Sequence, residues 1–235
     1  MIKAWSMSRL DVYESCPYRA YLQYVEKIPQ AELVIPEGKL EHPLIKGRRV
    51  HDAAEAYVTK DVLLIEELQH FQTDFEDARA KFRETPHQCV VEQEWAVDRA
   101  WQSVGWNSAT TWGRLKLDYA FRDESEMQIV DYKTGKKYPA KHVQQGQLYA
   151  VVSFEKYPEI EKIETEFWYL DSGDRLSKSY SRIQARVLRD DFEQRAHAMT
   201  TAVDFPPKSS SWNCRFCPYG EGADGNKHCE YRYSF

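Results

Sequence analysis

Two alternating segments between residues 113 and 135 limit what this chain can fold into. Gly113-Arg114-Leu115-Lys116-Leu117-Asp118-Tyr119-Ala120-Phe121 sets Leu115, Leu117, Tyr119 and Phe121 on one face and Arg114, Lys116 and Asp118 on the other, the period of a strand. Ile129-Val130-Asp131-Tyr132-Lys133-Thr134-Gly135 reads as a second strand, because Ile, Val and Tyr suit a pleated, half-buried surface. Asp123-Glu124-Ser125-Glu126 between them is a polar turn, so the pair forms a β-hairpin. With those four residues as the loop, Arg122 pairs with Met127 and Asp118 falls opposite Asp131. Directly opposed residues have Cβ atoms roughly 4.5–5.5 Å apart, where like charges repel. Two such carboxylates need a cation between them. Mg²⁺, hard and oxygen-seeking, is suited to the place. Asp131 and Lys133 share a face, which sets a lysine beside that ion. A register slip of one residue would separate the acids.

The rest of the chain supplies layers around this hairpin. Ser8, with Asp11 three residues on, marks a helix start, and Pro17 suits the first turn of a second helix carrying Tyr21, Leu22 and Val25. Residues 29–45, with three prolines and a glycine, read as a connecting loop. A helix opening at Lys46 has the stripe Val50, Ala53, Ala54, Tyr57 and Val58, with His51 at its edge. Taken alone, a histidine such as His51 is more often a packed or surface residue than a ligand. A charged amphipathic helix is expected over about residues 62–84, and a strand over Val90–Val97 with Glu92 and Glu94 on one face. Either glutamate suits the acid site, and a solvent-facing strand edge explains both equally well. A basic loop, Thr134 to Lys141, precedes a helix on which Gln145 and Tyr149, four apart, share a face. Ile163–Leu170 and Ser177–Ile183 form another antiparallel pair around Asp171-Ser172-Gly173-Asp174, and a helix covers 187–203.

Charge and hydropathy narrow the class. A net charge of −5 argues against a protein that coats nucleic acid non-specifically, yet leaves room for an enzyme whose metal and local lysines meet phosphates. No apolar run approaches transmembrane length and no charged-then-apolar leader opens the chain, so the expectation is a soluble, cytoplasmic protein with no membrane partner. Trp212-Asn213-Cys214-Arg215-Phe216-Cys217, with Cys229 further on, has metal-ligand spacing. Three thiols leave a four-coordinate site one ligand short. Cys16, at the break between the first two helices, is the candidate for the fourth, whereas Cys89 packs at a strand start. Four thiols suit an iron–sulfur cluster or a structural zinc ion.

In order along the chain stand Gly47-x-x-x-His51, Gly113-x-x-x-x-Asp118, Asp131-x-Lys133 followed by Thr-Gly, and Gln145-x-x-x-Tyr149. With Ser8-x-Leu10-x-x-Tyr13-x-x-Cys16-Pro17 and the split cysteines, this resembles the RecB-like branch of the PD-(D/E)XK nucleases, and within it the iron–sulfur nucleases of the AddB and CRISPR-adaptation type. Leu117 stands where the superfamily's name has proline. The resemblance implies one domain over residues 1–235. Its fold is α/β, a restriction-endonuclease-like core with a central mixed β-sheet flanked by helices. The segments about 6–28 and 205–235 would be joined at a four-cysteine metal cluster. It implies a DNA nuclease whose Mg²⁺ or Mn²⁺ is held by His51, Asp118, Asp131 and the Tyr132 carbonyl. Lys133 would act on the attacking water, Gln145 and Tyr149 would brace the site, and Cys16, Cys214, Cys217 and Cys229 would hold a [4Fe–4S] cluster or Zn²⁺. The rival reading is a zinc-stabilised nucleic-acid-binding module without catalysis.

Overall fold

The computed structural model describes residues 1–30, 35–38, 40–215, 217–220 and 227–232. The chain divides into two compact units, Ile35–Asp190 and the pairing of Met1–Val34 with Asp191–Phe235.

The first unit is built on a six-stranded sheet in the order β2-β1-β3-β4-β5-β6. The strands are β1 (Cys89–Val97), β2 (Ser103–Val104), β3 (Gly113–Arg122), β4 (Glu126–Lys133), β5 (Lys162–Tyr169) and β6 (Asp174–Ser181). β4 runs parallel to β5, and all other neighbours are antiparallel. This is the mixed sheet the sequence leads one to expect. The hairpin register is also the expected one: Arg122 pairs with Met127 and Tyr119 with Val130. Parallel neighbours cannot be joined by a hairpin, so the chain crosses over through a helix, α5 (Pro139–Lys156).

Helices cover both faces. α3 (Pro43–Thr59), a 3₁₀ turn (Glu66–Phe71) and α4 (Gln72–Glu84) bring Val50, Ala54, Tyr57, Leu68, Phe71 and Phe75 onto Tyr119, Val130, Tyr132 and Trp168. Full burial of each such side chain stabilises by about 1.5–3 kcal/mol. α5 covers the opposite face and lies close to it at Gly146. A Cβ there would stand 2.6 Å from Thr165 Oγ1 and 3.2 Å from Phe167 Cε2. β6 is an edge strand and buries only Tyr180, its other positions being polar or charged except Leu176, which blunts edge-to-edge association.

The second unit holds α1 (Met7–Ser15), α2 (Pro17–Tyr24), the end of α6 (Arg182–Thr200) and the short α7 (Ser211–Arg215). Trp5 stacks on Phe192, and Glu14 pairs with Arg195. Asn213 Nδ2 donates to Ser15 O at 2.8 Å, which fixes the C-terminal segment against the break between α1 and α2.

Several element bounds differ from expectation for local reasons. α1 is capped by Ser6, whose side chain accepts from Arg9 N, rather than by Ser8. α3 begins at Pro43, where the fixed proline φ suits a first turn, and not at Lys46. The single helix expected over 62–84 is a 3₁₀ turn followed by α4, because residues 62–65 stay non-helical. β6 ends at Ser181 and α6 starts at Arg182, whose guanidinium donates to the carbonyls of Phe154 in the last turn of α5 and of Tyr157, Pro158 and Ile160 just beyond it. The loop expected over 29–45 lies partly outside the described residues.

Gly146→Ala tests the α5 contact. Helix propensity alone favours alanine by about 1 kcal/mol. The forced separation from Thr165 and Phe167 should outweigh it, for a net destabilisation of about 1–3 kcal/mol in urea denaturation.

Candidate active site

Three carboxylates lie in one row across neighbouring strands: Glu92 on β1, Asp118 on β3 and Asp131 on β4. Pairing of β1 with β3 is continuous on both sides of Glu92, at Val91↔Tyr119 and Gln93↔Leu117, and this register sets Glu92 opposite Asp118. Glu92 itself has φ 45°, a left-handed conformation uncommon for any residue but glycine. The β3–β4 ladder stops at Tyr119↔Val130. At the next step the Tyr132 N–H donates to Asp118 Oδ2 at 2.8 Å, so a carboxylate replaces a backbone acceptor where the strands part. Ladder continuity thus yields to the acids at two adjoining positions.

His51 reaches the row from α3. Its Nδ1 is 3.3 Å from both Glu92 Oε1 and Asp118 Oδ1, and its Nε2 is 3.0 Å from the Tyr132 carbonyl oxygen. Ligand atoms of His51, Glu92 and Asp118 lie within 4.8 Å of one another, the one such trio among the described residues. Lys116 closes the outer side, its ammonium 2.7 Å from Glu92 Oε2. Asp131 is fixed from α5: Gln145 Nε2 donates to its Oδ2 at 2.8 Å and the Tyr149 hydroxyl at 2.7 Å. Its Oδ1 faces the Lys133 ammonium, which also donates to Gln145 Oε1 at 3.0 Å. Gln145 and Tyr149, one helical turn apart, therefore act on one oxygen.

The electrostatics are those of a site built for a cation. Burial, and next the Asp131 charge, push the Asp118 carboxyl up to about 6 against the pull of His51 and Lys133. Burial alone would lower the His51 imidazolium, but hydrogen bonds to Asp118 and Glu92 outweigh it and raise the group to about 10. Glu92 moves the other way: burial raises it, and His51 and Lys116 together bring it below the ordinary carboxylate range. The ligand atoms of His51, Glu92 and Asp118 form a group that can hold a metal ion.

The structure brings His51, Asp118, Asp131, Tyr132, Lys133, Gln145 and Tyr149 together. It also separates the two glutamates that the sequence leaves equal, since the Glu92 side chain is 7% exposed at the β1 end of the row and Glu94 lies exposed. The four cysteines lie in the other unit and none is in a disulfide. Cys16 sits at the N-terminus of α2, and its sulfur accepts from Lys208 N at 3.4 Å. Burial raises the Cys217 and Cys229 thiols. Among the described residues no three thiols approach within 4.8 Å, and part of the Cys217–Cys229 segment lies outside those residues.

The crystal structure of SSO0001 is similar at TM-score 0.44 and 12% identity, covering 99% of this chain and 88% of that one. A protein from Eubacterium rectale, itself only provisionally described as an exonuclease, is similar at TM-score 0.49 and 11% identity, covering 99% and 91%. No curated protein matches. The sequence matches the PD-(D/E)XK nuclease superfamily over residues 4–221, nearly the whole chain, and the chain belongs to that superfamily.

Proposed function

We propose that this chain is a Mg²⁺- or Mn²⁺-dependent deoxyribonuclease that hydrolyses phosphodiester bonds to leave 5′-phosphates. It acts as an exonuclease on DNA ends in recombination or repair. The observation that carries this reading is the buried row Glu92–Asp118–Asp131 with His51 at one end and Lys133 at the other. His51, Asp118, Asp131 and the Tyr132 carbonyl would hold the ion, with Glu92 beside them, once the His51 imidazolium has given up its proton and left a free ring nitrogen. When bound, the ion supplies Lewis acidity and lowers the pKa of its water. Lys133 orients that water and meets the charge growing on the phosphate in the transition state. Gln145 and Tyr149 keep Asp131 in one rotamer. Lys136, Lys137 and Lys141 are exposed on the loop and helix start beyond Lys133, suited to a polyanionic strand. No helix among the described residues is long and apolar enough to cross a membrane.

We further propose that Cys16, Cys214, Cys217 and Cys229 hold a [4Fe–4S] cluster, with Zn²⁺ the alternative. Closing a loop of about 200 residues removes on the order of 5 kcal/mol of unfolded-state entropy, which makes the role structural.

Cleavage of linear DNA should stop on adding EDTA. Asp118→Asn and Asp131→Asn should each abolish Mn²⁺ binding in calorimetry, and undiminished binding in both would overturn the site. Lys133→Ala should retain Mn²⁺ yet cleave about 10²–10³-fold more slowly. Anaerobically purified protein should be brown and carry iron. Alanine at any of the four cysteines should reduce soluble yield, whereas Cys89→Ala should be mild. Colourless protein with one zinc would replace iron and spare the ligands, and protein with neither metal would defeat the cysteine site.

A further inference from the structure

The turn between β5 and β6 touches the backbone at Lys133 and just after it. Leu170 N donates to the Lys133 carbonyl at 3.0 Å. Gly135 N donates to Asp171 Oδ2 at 2.8 Å, and Asp171 Oδ1 is 2.7 Å from the ammonium of Lys46, in the first turn of α3. α3 approaches the same loop through Gly47, where a Cβ would stand 3.5 Å from Thr134 Oγ1. The turn is itself firmly seated. Ser172 N and Gly173 N both donate to Tyr169 O, and His70 bonds Leu170 O and packs under Gly173. Gly135, with φ 85°, is a free joint two residues after Lys133 unless something holds it.

We propose that Asp171 is a positioning residue for Lys133: its carboxylate lashes the peptide at Gly135 to the start of α3 and so holds the lysine over the acid row. This rests on the nuclease reading above. Magnitudes separate such a role from a structural one. The Asp171–Lys46 pair is about a third exposed on each side, and surface pairs of that kind contribute about 0–1 kcal/mol to stability. A misplacement of about 1 Å at a reacting group can cost 10²-fold in rate. Removing Asp171 should therefore spare the fold and hurt the reaction.

Asp171→Ala should lower kcat about 10–100-fold with KM for DNA within about twofold and thermal stability nearly unchanged. The Gly135 amide should exchange with solvent faster by NMR, a reading that needs no catalysis. Asp174→Ala is the control. That residue pairs with Lys137 from the same turn, and its loss should leave both kcat and Gly135 exchange unaltered. In a Lys133→Ala background, Asp171→Ala should add less than about twofold, because its effect passes through the lysine. Protection of Gly135 that survives Asp171→Ala would refute the tie even if the chain proved to cleave nothing. Unchanged kcat with protection lost, or a full loss of rate persisting without Lys133, would refute the role.

Discussion

Repulsion among three carboxylates buried side by side is the constraint from which the rest of the sheet's irregularity follows. Each acid is taken largely out of water, where like charges interact strongly. Folding must therefore deliver compensating charge to that row. It does so from three directions: His51 from the helical layer, Lys116 from β3 two residues before Asp118, and Lys133 from the same strand as Asp131. The left-handed turn at Glu92 and the parting of β3 from β4 at Asp118 are departures from an ideal sheet at the same place. Strain of this kind persists where surrounding structure over-determines it, and here a well-packed core lies directly beneath, on the face bearing Tyr119, Val130 and Tyr132.

The hairpin was legible because its information is local. Alternation gave the faces of β3, the polar turn gave the loop, and the two together gave the register that aligns Asp118 with Asp131. Glu92 shows where such reasoning stops. Its distinction from Glu94 depends on how β1 pairs with β3, across the excursion of residues 98–112 that no short-range pattern measures. Once that register is known, Glu92 follows at once as the residue opposite Asp118. The bounds of α3, α4 and α6 shifted for a similar reason. Pro43 and Arg182 act through first-turn geometry and tertiary carbonyl partners, neither of which leaves a periodic trace.

The two units solve different problems. The sheet unit places charge against charge and needs rigid elements to do it, so its functional side chains come from strands and helices rather than from loops. Among the described residues, the unit built from both chain ends has only the short α7 after α6. Its order comes from contacts such as Asn213 with Ser15 and Lys208 with Cys16, each joining residues nearly 200 positions apart. Contacts so distant in sequence close long loops, and closing them costs chain entropy.

The crossover through α5 has a consequence for how this fold can vary. Gln145 and Tyr149 reach Asp131 because they occupy one stripe of a helix whose start is set by Pro139. Each residue advances a helix by about 100°. One residue inserted between Pro139 and Gln145 would swing both side chains off the carboxylate, and four would come close to restoring their phase. The loop before Pro139 carries no such angular rule. Length change in this family of shapes should therefore collect ahead of the helix and be quantised in turns within it.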